Sequence, residues 1–460
     1  MVRQMTSGSP ARLILSFAMP LMLGSVLQQG YMLVDAAIVG HLLGMNALAG
    51  VGASGSVLFL VLGFSIGTTG GFGIPIAQRF GARNEAGVRS LFRHSIVVGA
   101  VIALVMSIAC CIMCRKILLW MATPKEIMHE AWLYLFITFL TIPCNLFFNL
   151  QASVIRALGN SKTPFFYMLL SSVLNIIFDV LFIAVFHMGV EGAAWATALS
   201  QLICIVLCWQ YMRERMSLLW DSHADWHEVK RSEVSTLLWN GVPMGLQFSI
   251  TAIGSVMLQS ANNALGVVCA TAFTAAMRIK MFFITPFENL GIAMATYCGQ
   301  NLGAARLAGE KVDGHNRAHY FSRIHRGIRD ALMMMGAYGL AVMALLWKGA
   351  RDIAMLFIPI GETDILDHAA LFLHCSCVFY LFLGTLVIYR YSLQGIGFTR
   401  LAMLSGVSEL IARACISAWV VPLWGFLGVC FGDPAAWVAA DIFLLPAFYL
   451  VMRKVQRKQS

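Results

Sequence analysis

The chain is written in long apolar runs separated by short polar breaks. The runs lie at 12–40, 46–79, 92–114, 131–157, 164–187, 190–212, 236–265, 268–302, 326–347, 368–395, 401–423 and 434–452. A helix needs about 20 largely apolar residues to cross a bilayer, so the pattern predicts twelve membrane spans and an all-α integral membrane protein. The first run, Leu13 to Val39, is too long for the core of a secretory signal and has no small-residue cleavage site, so it is read as the first span.

The runs come in two related sets of six. Ala77-Gln78-Arg79-Phe80-Gly81-Ala82 follows span two, and Gly299-Gln300-Asn301-Leu302-Gly303-Ala304 follows span eight, at an offset of 222. Pro20 in span one matches Pro243 in span seven. The Leu158–Thr163 segment after span four resembles Leu393–Arg400 after span ten, with Gly159 on Gly395 and Thr163 on Thr399. Ala193-Ala194-Trp195 in span six matches Ala435-Ala436-Trp437 in span twelve. The matches run in one order at equivalent span positions. Six spans per copy is an even number, so the copies share one orientation, and the repeat is parallel with its axis along the membrane normal. The expected organisation is an N-terminal bundle at 1–215, a connector at 216–235 and a C-terminal bundle at 236–460, two six-helix bundles related by pseudo-two-fold symmetry around a central cavity.

Composition sharpens the class. Hydrophobic residues make up 59% of the 460 and charged residues 12%, against about 25% charged in soluble proteins. The mean hydropathy of +0.77 leaves too little polar surface for a water-soluble globule. If the start of the chain is cytoplasmic, 24 of the 32 Lys and Arg fall in cytoplasmic segments, Arg390 counted among them, and both termini lie inside. The net charge of +10 then reflects topology and attraction to anionic lipid rather than nucleic acid. The mixed-charge segment Arg213–Glu233 reads as the connector. The 12 cysteines, most of them inside apolar runs, read as small apolar fillers, and no spacing suggests a metal site. Membrane-enzyme chemistry lacks a His/Asp metal pattern, a nucleophile elbow and a phosphate loop.

Ionisable side chains inside spans are costly, by about 2.5–3.5 kcal/mol on insertion scales, and are functional candidates by default. Asp35 lies in span one. Asn175 and Asp179 lie in span five at i, i+4, on one helix face, and span six offers Thr197. Two carboxylates, an amide and a hydroxyl at similar depth suit a proton or a Na⁺; the same groups also suit hydrogen-bonded structural roles near span ends. The second half differs. Asp35 falls on Leu258 in the repeat register, and span ten carries no interior acid. Glu409 and Arg413 in span eleven are spaced to pair with each other. Arg278, Lys280 and Glu288 open span eight as cavity candidates, and His374 reads as a packed histidine.

Phe17-Ala18-Met19-Pro20, Gln28-Gln29-Gly30-Tyr31 and Val34-Asp35-Ala36-Ala37-Ile38-Val39-Gly40 resemble the first span of MATE (multidrug and toxic compound extrusion) transporters. The repeated Gln-x-x-Gly-Ala and the Leu-Gly-Asn-Ser-Lys-Thr-Pro segment before span five resemble that family too. The resemblance implies a V-shaped twelve-helix protein that exports organic, often cationic, compounds in exchange for H⁺ or Na⁺. It requires no other cofactor and implies a monomer in a bacterial-type inner membrane. It places the cation site on Asp35, Asn175, Asp179 and Thr197, which would also be the metal ligands if Na⁺ couples. The chain departs from the pattern by a longer basic loop, Lys311 to Arg329, and by lacking the acids that some members carry in spans seven and ten. A distant alternative on the same scaffold is a flippase for lipid-linked saccharides, which would use Arg278, Lys280 and Arg413 to line a cationic groove.

Overall fold

The computed structural model describes residues 4–121, 123–220, 230–307, 316–359 and 361–459. Part of the expected connector (221–229) and of the expected basic loop (311–315) lies outside the described residues, and the rest of that loop from Arg317 is helical. The described residues form α1 (Pro10–Leu43), α2 (Met45–Gly81), α3 (Glu85–Trp120), α4 (Met128–Leu140), α5 (Ile142–Ala157), α6 (Lys162–Asp179), α7 (Val190–Arg215) and α8 (Arg231–Asn263). They continue with α9 (Val267–Leu307), α10 (Arg317–Ala354), α11 (Thr363–Val378), α12 (Tyr380–Ile396), α13 (Thr399–Cys415), α14 (Val421–Trp424), α15 (Phe426–Cys430) and α16 (Gly432–Gln459). Among the described residues ten helical stretches are long and apolar enough to cross a membrane, and two bent pairs bring the number to twelve.

The bent pairs occupy equivalent places in the two halves. Spans four and ten are not the single helices that their apolar runs predict. The first breaks by 49° between α4 and α5, and the second by 52° between α11 and α12. At the first break Pro143, in the opening turn of α5, has no N–H to continue the helical ladder. The other repeat marks agree. Left-handed glycines end α1 at Gly44 (φ 88°) and precede α9 at Gly266 (φ 105°), again 222 residues apart. Gly159 (φ 81°) and Gly397 (φ 96°) close α5 and α12. The structural partner of Gly159 is therefore Gly397, the residue that must adopt a positive φ at the helix end. Gly395, two residues earlier, does a different job. It lies inside α12 against the Ala295 carbonyl of α9, where an added Cβ would strike backbone. Gly395→Ala is expected to lower the thermal stability of the purified protein by about 1–3 kcal/mol through overpacking. Gly336→Ala, where a Cβ meets open space, is expected to be neutral in the same melt.

The outer face of α3 shows why the helices suit lipid. Val97, Val101, Leu104, Val105, Ile108 and Ile112 are exposed along one stripe, while Leu91, Val98, Ala103, Cys114 and Leu118 on the other side are buried. An apolar stripe that continuous is a membrane-contacting surface.

The chain forms two compact units, Met19–Gly245 and Met5–Ala18 with Leu246–Ser460. Residues 236–245, in the second half by sequence, thus cluster with the first. The repeated motif after spans two and eight anchors these exchanged segments. In the first unit Arg79 grips Glu233, in the first turn of α8, with Nη2 3.0 and 3.1 Å from the two carboxylate oxygens. In the second, the Met5 N–H donates to Gln300 Oε1 at 2.7 Å, and Asn301 Nδ2 donates to the Met5 carbonyl at 3.2 Å. Arg323 Nη1 adds a bond to the Gly8 carbonyl at 2.8 Å.

Candidate functional site

In the first unit α6 carries Asn175 and Asp179 one turn apart, both buried. The helix then changes character: Val180–Val185 form a π-helical turn, closed by the Phe186 N–H to the Leu181 carbonyl at 3.0 Å. A π turn inserts an extra residue per turn and breaks the regular ladder, a feature that recurs at functional sites. Asp179 is the last residue before it. The second unit repeats the π turn at Ile416–Val420, where Cys415 stands in place of Asp179. The backbone device is duplicated and its acid is not.

Thr197 on α7 fixes the amide. Asn175 Nδ2 donates to Thr197 Oγ1 at 3.1 Å, and the Thr197 hydroxyl donates to the Ala193 carbonyl at 3.2 Å. Asn175 Oδ1 is left buried without a donor, as are Asp35 Oδ1 and both carboxylate oxygens of Asp179. The Asp35 and Asp179 carboxyls face each other within hydrogen-bonding reach. Among the described residues neither carboxyl forms an ion pair with a basic side chain. Tyr31, one turn before Asp35, and Tyr134 on α4 lie within electrostatic reach of both acids. The spacing of Tyr31 from Asp35 was visible in the sequence. Tyr134 arrives only through the packing of α4, for which the sequence carries no local signal. All four candidates thus belong to one cluster of oxygens, with Asn175 and Asp179 buried and Asp35 and Thr197 half-buried. Two ionised carboxylates at this range repel, so the arrangement calls for a cation or proton between them.

The second unit holds a different cluster. Lys280 on α9 pairs with Asp433 at the start of α16. Arg413 Nε lies 3.0 Å from Asp433 Oδ1, and Arg413 Nη1 lies 3.4 Å from Glu409 Oε2. Arg390 on α12 pairs with Glu409 Oε1 and donates from Nε to Ser405 Oγ at 3.1 Å. Three of the sequence expectations change here. Arg390, counted among the cytoplasmic cations, is buried in this network, because the acid that neutralises it comes from another helix. Lys280 is 3% exposed and held by Asp433, so it is not a free cavity cation. Arg413 has a closer partner in Asp433 than in Glu409. Arg278 is exposed on α9, apart from the network, and Glu288 is accessible and within electrostatic reach of Arg390. His374 packs against Trp347, with ring centroids 5.4 Å apart.

The MatE family model matches residues 20–181. The chain is 25% identical over 449 residues to "Probable multidrug resistance protein YoeA" of Bacillus subtilis, covering 96% of this chain and 94% of that protein. It is 27% identical over 416 residues to "Probable multidrug resistance protein YpnP" of the same organism, covering 90% and 87%. A transporter of the MOP superfamily from Pyrococcus furiosus superimposes with a TM-score of 0.87 at 22% identity, covering 98% of both chains. A twelve-span helical fold built twice from one six-span plan, with acids inside its apolar helices, defines a multi-pass membrane protein of secondary-transporter architecture. The chain is thus similar to the MATE family, by a family match over residues 20–181 and by relatives that align over nearly its whole length.

Proposed function

We propose that the protein is a proton-coupled antiporter that exports organic, amphipathic and mainly cationic compounds across a bacterial-type inner membrane, with both termini in the cytoplasm. The observation that carries the reading is the facing pair of Asp35 and Asp179, whose buried oxygens receive no N–H or hydroxyl donor. Carboxyls in such contact are best satisfied by a shared proton. Asn175 and Thr197 complete the oxygen lining without adding charge. Binding a proton from outside favours one conformational state, binding the exported compound favours the other, and the protein gains its cycle from that difference. Na⁺ is the competing ion, because the same oxygens suit it.

The flippase alternative needs free cations along a groove. Lys280 and Arg413 are both consumed in buried ion pairs, which favours the antiporter. The test is uptake of ethidium, an aromatic organic cation, into vesicles with an acidic lumen. Uptake driven by a pH difference in Na⁺-free buffer is expected. Uptake driven only by a Na⁺ gradient would overturn proton coupling, and flipping of a lipid-linked saccharide without ethidium uptake would overturn the export reading.

A further inference from the structure

The charged cluster of the second unit does not balance. Lys280, Arg390 and Arg413 are three cations, and Glu409 and Asp433 accept all the ion pairs they make there. Two further acids lie within electrostatic reach of Arg390. Glu288, on α9, is exposed on the surface of its helix. Asp441, on α16, is only 4% exposed, and neither of its carboxylate oxygens has a donor. An ionised carboxylate so placed would cost several kcal/mol in lost solvation. The charged and titratable groups facing it are Arg390 and Tyr389 from α12, with Glu409 and Arg413 of α13 linked to it through Arg390. Its own helix adds Tyr449, linked to it through Tyr389.

We propose that Asp441 is a proton-binding site of the second unit, separate from the Asp35–Asp179 pair, and that loss of its proton draws Arg390 from Glu409 to Asp441. When Asp441 is neutral, Arg390 stays on Glu409 and Ser405. When the proton leaves to water, the Asp441 carboxylate becomes the acid near Arg390 that no other cation holds, and Glu409 keeps Arg413. Arg413 and Lys280 continue to share Asp433. Proton uptake restores the first arrangement. One ionisation on α16 therefore re-partners residues on α12 and α13, the helices packed against it.

The proposal stands whichever ion the first unit binds, and its test uses no transport substrate. The protein is placed in lipid nanodiscs and titrated with acid while the infrared C=O stretch of protonated carboxyl groups is recorded. Asp441→Asn is expected to lose one titrating carboxyl band that Asp35→Asn and Asp179→Asn both retain. A wild-type and an Asp441→Asn difference spectrum that superimpose would overturn the proposal. If Asp441→Asn does not yield folded protein, Asp441→Glu decides: a titrating band displaced in frequency or midpoint supports the site, and an unchanged band overturns it. Failure of the Asp35 and Asp179 variants to transport leaves this readout untouched, so the two accounts fail separately.

Discussion

Asp179→Asn is expected to abolish gradient-driven ethidium accumulation while leaving a folded protein. Asn keeps the volume and one carbonyl oxygen of the Asp179 side chain but cannot take up or release a proton in this range. Exchange of one proton for one univalent cation moves no net charge, so the pH difference alone sets the accumulation ratio. One pH unit is worth about 1.4 kcal/mol, a ratio of about ten. For an uncharged compound the membrane potential also contributes, about 2.3 kcal/mol per 100 mV, or a ratio of about fifty. Both ratios should fall to about one in Asp179→Asn and in Asp35→Asn. Full accumulation in either variant would remove that acid from coupling. Downhill exchange of ethidium is expected to survive, which separates lost coupling from lost binding.

The second large effect is on stability. Asp433 is the shared acid of Lys280 and Arg413, and all three are buried. Asp433→Ala leaves the Lys280 ammonium without its counter-ion in a medium that solvates charge poorly. Removing one member of a buried ion pair costs about 3–5 kcal/mol. The thermal melt of Asp433→Ala in nanodiscs should therefore shift down strongly, and addition of Lys280→Met should recover part of the loss, because the orphaned charge is then gone. An unshifted melt in Asp433→Ala would mean that the network contributes nothing to holding α9, α13 and α16 together.

Much of this was legible in the sequence because bilayer physics writes it there. Every span must be apolar and long, so all twelve left a run in the sequence. The duplication was legible because prolines, glycines and Gln-x-x-Gly-Ala segments mark helix bends and ends that both halves need. The four-residue oxygen cluster was found because acids are rare inside apolar runs, and Asn175 and Asp179 share a helix face. What escaped was the structure that depends on neighbours. The bends at spans four and ten keep their apolar runs continuous, so hydropathy passes over them. The π turns after Asp179 and Cys415 leave no composition signal. Arg390 sits two turns from the end of α12, and its burial depends on Glu409, contributed by a different helix. Asp441 lies deep in an apolar run but lacks an i, i+4 partner of the kind that drew attention to Glu409 and Arg413.

Proton coupling through Asp35 and Asp179 is tested most directly by watching the proton. Vesicles containing the protein and a lumenal pH dye are prepared in Na⁺-free buffer with no pH difference, and ethidium is added outside. Downhill ethidium entry is expected to drive protons out and make the lumen alkaline, and Asp35→Asn vesicles are expected to take up ethidium with no change in lumenal pH. Ethidium entry through the wild-type protein without any proton movement would contradict the account.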